Sequence, residues 1–264
     1  MPHRRLLIVA AATAVVFASL TVLVAARVGP LMRADAAISS AALRAALAHP
    51  VWRACAVAVT TSGGPSVVTV AAVIAVVALF GAGRRRDAVF VVVTMLGSAG
   101  IRLLVLNSVA RPRPADRLAP AAGFSFPSGH TTESAAAALT ALAVLWPLLR
   151  ARVRGIVAVA VVVWALAVGI SRVALVVHWP TDVLGGWLLA STVVVAAIAL
   201  LRRAERGSQP GAGQIRELDG RGRRGRREGG DQDEDGEQPP AAGFGGGIGE
   251  SPHPAHGDPT VDPQ

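Results

Sequence analysis

The residues able to do chemistry in this chain fall into three short polar clusters, each at the edge of a long apolar block. The first is Arg111-Pro112-Arg113-Pro114. Proline holds the backbone extended, and a guanidinium grips phosphate oxygens through two parallel hydrogen bonds while staying charged at any working pH. The second is Phe126-Pro127-Ser128-Gly129-His130-Thr131. Ser128 suits a helix N-cap, Gly129 permits close approach, and the free N–H groups of a first helical turn make an anion site with His130 at its edge. The third is Ser171-Arg172, followed by His178 and Asp182. Pro180 fits the first turn of a helix, so His178 and Asp182, four apart, fall on one side of its start. A carboxylate that holds one imidazole nitrogen leaves the other neutral and nucleophilic. Each cluster also has an ordinary reading, as a headgroup anchor, a capped helix start or a surface pair; together they argue for phosphate chemistry.

The elements that must position these clusters are membrane helices. Of the 264 residues 52% are hydrophobic, and they lie in blocks rather than in short periodic stretches. A bilayer core of roughly 30 Å needs about 20 apolar helical residues. Blocks of that scale stand at residues 6–26, 65–82, 88–106, 131–149, 155–170 and 183–201, which predicts an all-α integral membrane fold with six transmembrane helices. The first block follows Arg4-Arg5 and ends at Ala25-Ala26, features that also fit a cleaved signal peptide; its length favours a retained span. Residues 27–63 mix Arg27, Arg33, Asp35, Arg44, His49 and Arg53 with Ala and Leu and read as an interfacial or amphipathic segment.

The formal charge of +9 divides unevenly. Residues 1–201 hold 17 Arg against five acids, or +12, whereas residues 202–264 hold 9 Arg against 12 acids, or −3. The basic excess therefore belongs to the membrane part, where it fixes topology and lines an anion site, and it is no sign of a nucleic-acid partner. Placing the N-terminus inside puts Arg4/Arg5, Arg84–Arg86, Arg150–Arg154 and Arg202/Arg203/Arg206 in the cytoplasm together. The polar loops 107–130 and 171–182 then share the outer face, and the three clusters can meet there. Beyond Gly207 the chain is rich in Gly, Pro, Arg and acids, with a basic run Arg221–Arg227 before Asp231–Glu237. The expected organisation is a six-span domain over 1–201 and a disordered cytoplasmic tail over 202–264. Cys55 stands alone and can form neither an internal disulfide nor a Cys-x-x-Cys site.

The order Arg-Pro, Pro-Ser-Gly-His, Ser-Arg-x5-His-x3-Asp, carried by residues 113–182, resembles the type 2 phosphatidic acid phosphatase family, which shares its site with vanadium haloperoxidases. The resemblance implies that His178 is a nucleophile forming a phosphohistidine, that Asp182 orients it, and that His130 protonates the leaving oxygen and later activates water. It further implies that Arg113, Arg172, Ser128 and the Gly129 amide bind the phosphoryl oxygens, with no metal and no cofactor. Phosphoryl transfer rests on positioning and charge stabilisation, so two arginines and a helix N-terminus are apt parts.

The family's first motif begins with Lys seven residues before the Arg of its Arg-Pro pair, and here that position is Leu106. All 26 basic residues are Arg, so no Lys replaces it; Arg102, one helical turn earlier, is the residue expected to reach the site. Glu133 is assigned to the first turn of the fourth span, near the positive end of its dipole, and left outside the site because a carboxylate would repel bound phosphate. The expected activity is hydrolysis of a lipid phosphomonoester or diphosphate, such as phosphatidate, phosphatidylglycerol phosphate or polyprenyl (undecaprenyl) diphosphate, at the outer face of a bacterial inner membrane. The alternative, for which Leu106 speaks, is a phospholipid-binding or lipid-moving protein with weak or lost phosphatase activity. A halogenating enzyme is disfavoured by the membrane blocks and the missing Lys.

Overall fold

The computed structural model describes residues 3–207, which lie in one compact unit, Met1–Gln209. Among the described residues there are eight helices and no strand. They are α1 (His3–Ala25), α2 (Gly29–Ala48), α3 (Pro50–Ser62), α4 (Pro65–Gly81), α5 (Arg85–Val109), α6 (Gly129–Leu145), α7 (Ala151–Ala174) and α8 (Pro180–Gly207). The expected tail lies outside the described residues from 208 onward, and the sixth expected span continues as helix through Gly207.

Among the described residues five stretches are long and apolar enough to cross a membrane: His3–Ala25, Pro50–Gly81, Arg85–Val109, Ala151–Ala174 and Pro180–Arg203. The protein is thus an all-helical, multi-pass membrane protein. Its outer surface bears this out, since Ile8, Leu96, Leu104 and Ile156 are all exposed on the helix flanks where only lipid can cover them cheaply. The remaining expected span, 131–149, is represented by α6, which has 17 residues and a length of about 26 Å. It ends at Leu145, two residues before Pro147, which has no N–H to continue the helical hydrogen bonding.

α6 is short because it is a core helix. It packs against α4, α5, α7 and α8, and its buried face is small: Gly129, Thr131, Ser134, Ala135, Ala136 and Ala138. Small residues let helices approach closely where no hydrophobic effect drives them together. Ala190, Val194 and Ala197 of α8 and Phe90 and Val91 of α5 complete this core, and Thr140 Oγ1 of α6 donates to Thr94 Oγ1 of α5 at 2.9 Å. Gly186 of α8 is required here, because a Cβ would stand 2.9 Å from the Thr131 side chain. α1 lies along α8, with a hydrogen bond from Thr192 Oγ1 to Thr13 Oγ1 at 3.0 Å.

Residues 27–63 do more than lie along a surface. They form α2 and α3, broken at His49-Pro50, and α3 runs on through Gly63-Gly64 into α4. Long-range hydrogen bonds tie this pair to the rest, among them Thr181 N–H to Asp35, Arg172 to Thr60 Oγ1, and Arg53 to the Leu118 carbonyl. α2 and α3 therefore cap the end of the bundle where α5 and α7 finish and α6 and α8 begin. The arginines at 84–86 and 150–154 lie at the other end, where Arg84 donates to the Val144 carbonyl and Arg154 to the Leu149 carbonyl.

Candidate active site

The three clusters meet at the capped end. α5 closes on Ala110 in the left-handed region (φ 47), which turns the chain so that Arg111 and Arg113 both enter the bundle end. α6 starts at Gly129, with Ser128 extended at its N-cap. α7 delivers Arg172 in its last turn, and the link from Leu175 to Trp179 carries His178 to the start of α8. In that link Val176 holds φ 54, a strained conformation for a β-branched residue that is fixed by its near-complete burial.

His178 is 2% exposed and lies between a carboxylate and a guanidinium. Its Nδ1 is 3.3 Å from Asp182 Oδ2, and its Nε2 is 2.8 Å from Arg113 Nη1. Arg113 can only donate, so Nε2 carries the lone pair and Nδ1 the proton shared with Asp182. That tautomer turns the Nε2 lone pair toward Arg113 and away from Asp182. Burial pushes the His178 ring down to about 4, opposed by its hydrogen bond and charge interaction with Asp182 and assisted by Arg113 and Arg172. Arg113 is itself lowered, first by burial and then by Arg102 and Arg117, against the attraction of Asp182. Its guanidinium is pinned by the carbonyls of Val177 (2.9 Å), Gly123 (3.1 Å) and Ala122 (3.1 Å).

Beside Nε2 lies a cavity of about 200 Å³ whose wall includes Arg102, Arg113, Gly129, His130, Glu133, Arg172 and His178. Arg102 does reach the site: a Cβ on Gly129 would stand 2.8 Å from its guanidinium carbon, so glycine is what allows that guanidinium to lie over the start of α6. Arg172 donates to Thr60 Oγ1 at 2.6 Å. The Nε–H groups of both Arg102 and Arg172 are buried with no acceptor among the described residues. Buried donors normally find partners, and two such donors at one small cavity mark a place for an anion.

Two expectations about individual residues change. Ser128 occupies the N-cap without a side-chain capping bond; it is fully buried one residue behind the cavity wall, and its Oγ accepts from Thr131 Oγ1 at 3.0 Å. Glu133 lies beyond the first turn of α6 and forms part of the cavity wall with Arg102, so the guanidinium compensates the carboxylate that sequence reasoning had set aside.

Behind Asp182 stand Arg111, expected with Arg113 in a phosphate-gripping cluster but turned instead to two carboxylates, and Asp35, which the sequence did not single out. Asp182 Oδ1 accepts from Arg111 Nη1 at 2.7 Å and Asp182 Oδ2 from the Trp179 N–H at 2.9 Å. Arg111 Nη2 in turn donates to Asp35 Oδ2 at 2.6 Å. The only signal available was Asp35 itself, the single acid of residues 27–63.

Comparison with known proteins agrees with this geometry. Residues 87–206 match the PAP2 superfamily. Phosphatidylglycerophosphatase B of Escherichia coli K12 is 38% identical over 96 residues, which are 36% of this chain and 36% of that protein, and the Shigella flexneri protein of the same name matches to the same extent. The chain thus spans about a third of the length of the curated relatives it matches. The crystal structure of a transmembrane PAP2-type phosphatidylglycerolphosphate phosphatase from Bacillus subtilis superposes with a TM-score of 0.67 at 26% identity, covering 74% of this chain and 96% of that one. Residues 87–206, the segment that carries all three clusters, belong to the PAP2 superfamily, the type 2 phosphatidic acid phosphatases, and the membrane fold around them is shared with the Bacillus subtilis structure.

Proposed function

We propose that this protein is a membrane lipid phosphatase that works through a phosphohistidine on His178. The observation that carries the reading is the convergence of Arg102, Arg113 and Arg172 on the cavity beside His178 Nε2, with two buried guanidinium donors lacking acceptors. A phosphate dianion would satisfy those donors, and the α6 N-terminus with the Gly129 amide and the Ser128 hydroxyl would take further oxygens. Arg113 Nη1, 2.8 Å from Nε2, would move onto a phosphoryl oxygen and release the lone pair.

The Nε2 lone pair then forms the N–P bond as the P–O bond to the lipid breaks. His130, on the cavity wall, takes up a proton once the bound phosphate dianion offsets the guanidinium charges around it, and gives that proton to the leaving oxygen. Asp182 keeps the Nδ1 proton in place and stabilises the charged ring. In the second half a water attacks phosphorus and yields its proton to His130, while the N–P electron pair returns to Nε2. The guanidinium charges supply the stabilisation for which other phosphatases use metal ions.

In this reading the chain crosses a bacterial inner membrane six times, α6 being the short central span. The basic clusters at the end opposite the site support a cytoplasmic placement for that end, and hence an extracytoplasmic active site. The names of the matched relatives put phosphatidylglycerophosphate first among the lipid phosphates to test, ahead of phosphatidate and polyprenyl diphosphate. Leu106 favours a lipid binder without turnover, but Arg102 reaches the cavity from one turn earlier and supports catalysis.

The test is phosphate release by purified protein in detergent from these three lipids, with His178→Ala as control. Release lost in the variant is expected; equal release from both proteins would contradict the mechanism.

A further inference from the structure

The strongest unassigned feature is a buried polar chain that begins on α2, outside the segment matching the superfamily. Asp35 is 2% exposed, Arg111 7% and Asp182 0%. Asp35 accepts from Arg111 Nη2 (2.6 Å), from Thr181 Oγ1 (2.6 Å) and from the Thr181 N–H (3.0 Å). Arg111 Nη1 reaches both Thr181 Oγ1 and Asp182 Oδ1 at 2.7 Å. The guanidinium also lies over the Trp179 ring, 5.4 Å from its centroid.

Two consequences follow from this arrangement. Thr181 is the second residue of α8, so its N–H is one of the free donors of a helix start, and Asp35 serves it from another helix as a cap would. The start of α8 carries Asp182, so this bond fixes where Asp182 stands. Second, Arg111 divides its charge between two carboxylates. With Arg111 paired to Asp182 alone, that carboxylate would be fully compensated and would act weakly on the imidazole. With Asp35 present the buried set of two carboxylates and one guanidinium has a formal charge of −1, directed at the ring through Asp182 Oδ2.

We propose that Asp35 is a positioning residue for the reaction, acting through Arg111 and Thr181 to hold Asp182 against His178 Nδ1 and to keep its negative charge available to the ring. The proposal rests on the phosphohistidine reading above. A negative charge of this kind matters most when the ring becomes cationic on phosphorylation, so it should act on turnover and leave ground-state binding nearly unchanged. The other charged or titratable groups facing the His178–Asp182 pair are Arg113 from the loop, Arg172 from α7, and His130 and Arg102 across the cavity. All but Arg102 lie within the motif segment, and none contacts Asp35.

The experiment measures kcat, KM and pH dependence of phosphate release by the full-length protein in detergent, using a short-chain phosphatidate. Wild type, His178→Ala, Asp35→Asn, Asp35→Glu, Asp182→Asn and the Asp35→Asn/Asp182→Asn pair are compared as monodisperse fractions. Asp35→Asn should lower kcat by about 10- to 100-fold, the usual cost of removing a partner that orients a functional group from behind, with KM within about twofold. Its acid limb should move to lower pH, because a negative charge near the imidazole has gone. In the Asp182→Asn background the same change should cost less than about threefold, since its effect runs through Asp182. Asp35→Glu should recover part of the loss.

Wild-type turnover that depends on His178 but is unaffected by Asp35→Asn would overturn the proposal and leave the phosphatase reading standing. Equal losses from Asp35→Asn with and without Asp182 would assign Asp35 a structural role only, and so would failure of both Asp35 variants to fold. No His178-dependent release in the wild type would overturn the reading and the proposal together.

Discussion

Acid should destabilise the wild-type protein more than a His178→Gln variant, because the folded chain holds His178 buried and neutral. Burial is the main cause, with Arg113 and Arg172 adding to it and Asp182 opposing. Above pH 6.5 neither the folded nor the unfolded chain protonates this ring. As the pH falls from 6.5 toward about 4 the unfolded chain takes up a proton that the folded chain does not, so stability is lost across that window. The difference between 6.5 and about 4, at about 1.36 kcal/mol per unit, amounts to roughly 3 kcal/mol. For a chain of this size that corresponds to roughly 6–12 °C in Tm. The assay is thermal unfolding in detergent at intervals from pH 7 to 4, read as the difference between wild type and variant so that other acid-sensitive groups cancel. In the proposed mechanism the same neutral ring is the nucleophile, so the acid limb of kcat/KM should lie near 4 and not near 6.5. Parallel Tm–pH curves for the two proteins, or an acid limb at the ordinary histidine value, would refute the reasoning.

Three further predictions concern the phosphate cradle. Arg102→Ala should raise KM by roughly 10- to 100-fold, the value of a charge-assisted hydrogen bond, and Leu106→Lys should restore part of that loss by returning a cation to the neighbouring turn; steady-state kinetics decide. Gly129→Ala places a Cβ 2.8 Å from the Arg102 guanidinium carbon, so it should raise KM in the wild type and change little in an Arg102→Ala background. In the proposed mechanism guanidinium groups stabilise the transferred phosphoryl group, so EDTA should leave phosphate release unchanged, as a colorimetric assay with and without chelator will show.

Much of this molecule was legible in its sequence because membrane helices and motif residues are local signals. The blocks at 6–26, 65–82, 88–106, 155–170 and 183–201 each lie within a residue or a few of α1, α4, α5, α7 and α8, since about 20 apolar residues in a row have few other uses. The fourth block was read too long because its apolar composition continues past Pro147, where the helix cannot. The meeting of Arg113, His130, Arg172, His178 and Asp182 followed from placing two loops at one end of the bundle. What lies behind Asp182 was not legible, because Asp35 and Thr181 are 146 residues apart and Thr60 and Arg172 are 112 apart, with no spacing rule to link them. Residues 27–63 looked like a surface segment since their one acid gave no hint that it is buried. Glu133 was set aside on charge alone, whereas its compensation by Arg102 depends on how α5 packs on α6.

The central claim, that His178 Nε2 becomes covalently bonded to phosphorus, is tested most directly by trapping the intermediate. The purified protein is mixed briefly with lipid phosphate labelled on phosphorus, quenched in alkali, and mapped by mass spectrometry. The account predicts a label that is stable to alkali, lost in acid, located on His178, and absent from His178→Ala. Turnover of the labelled lipid with no protein-bound phosphorus at any quench time, or with label on another residue, would contradict it.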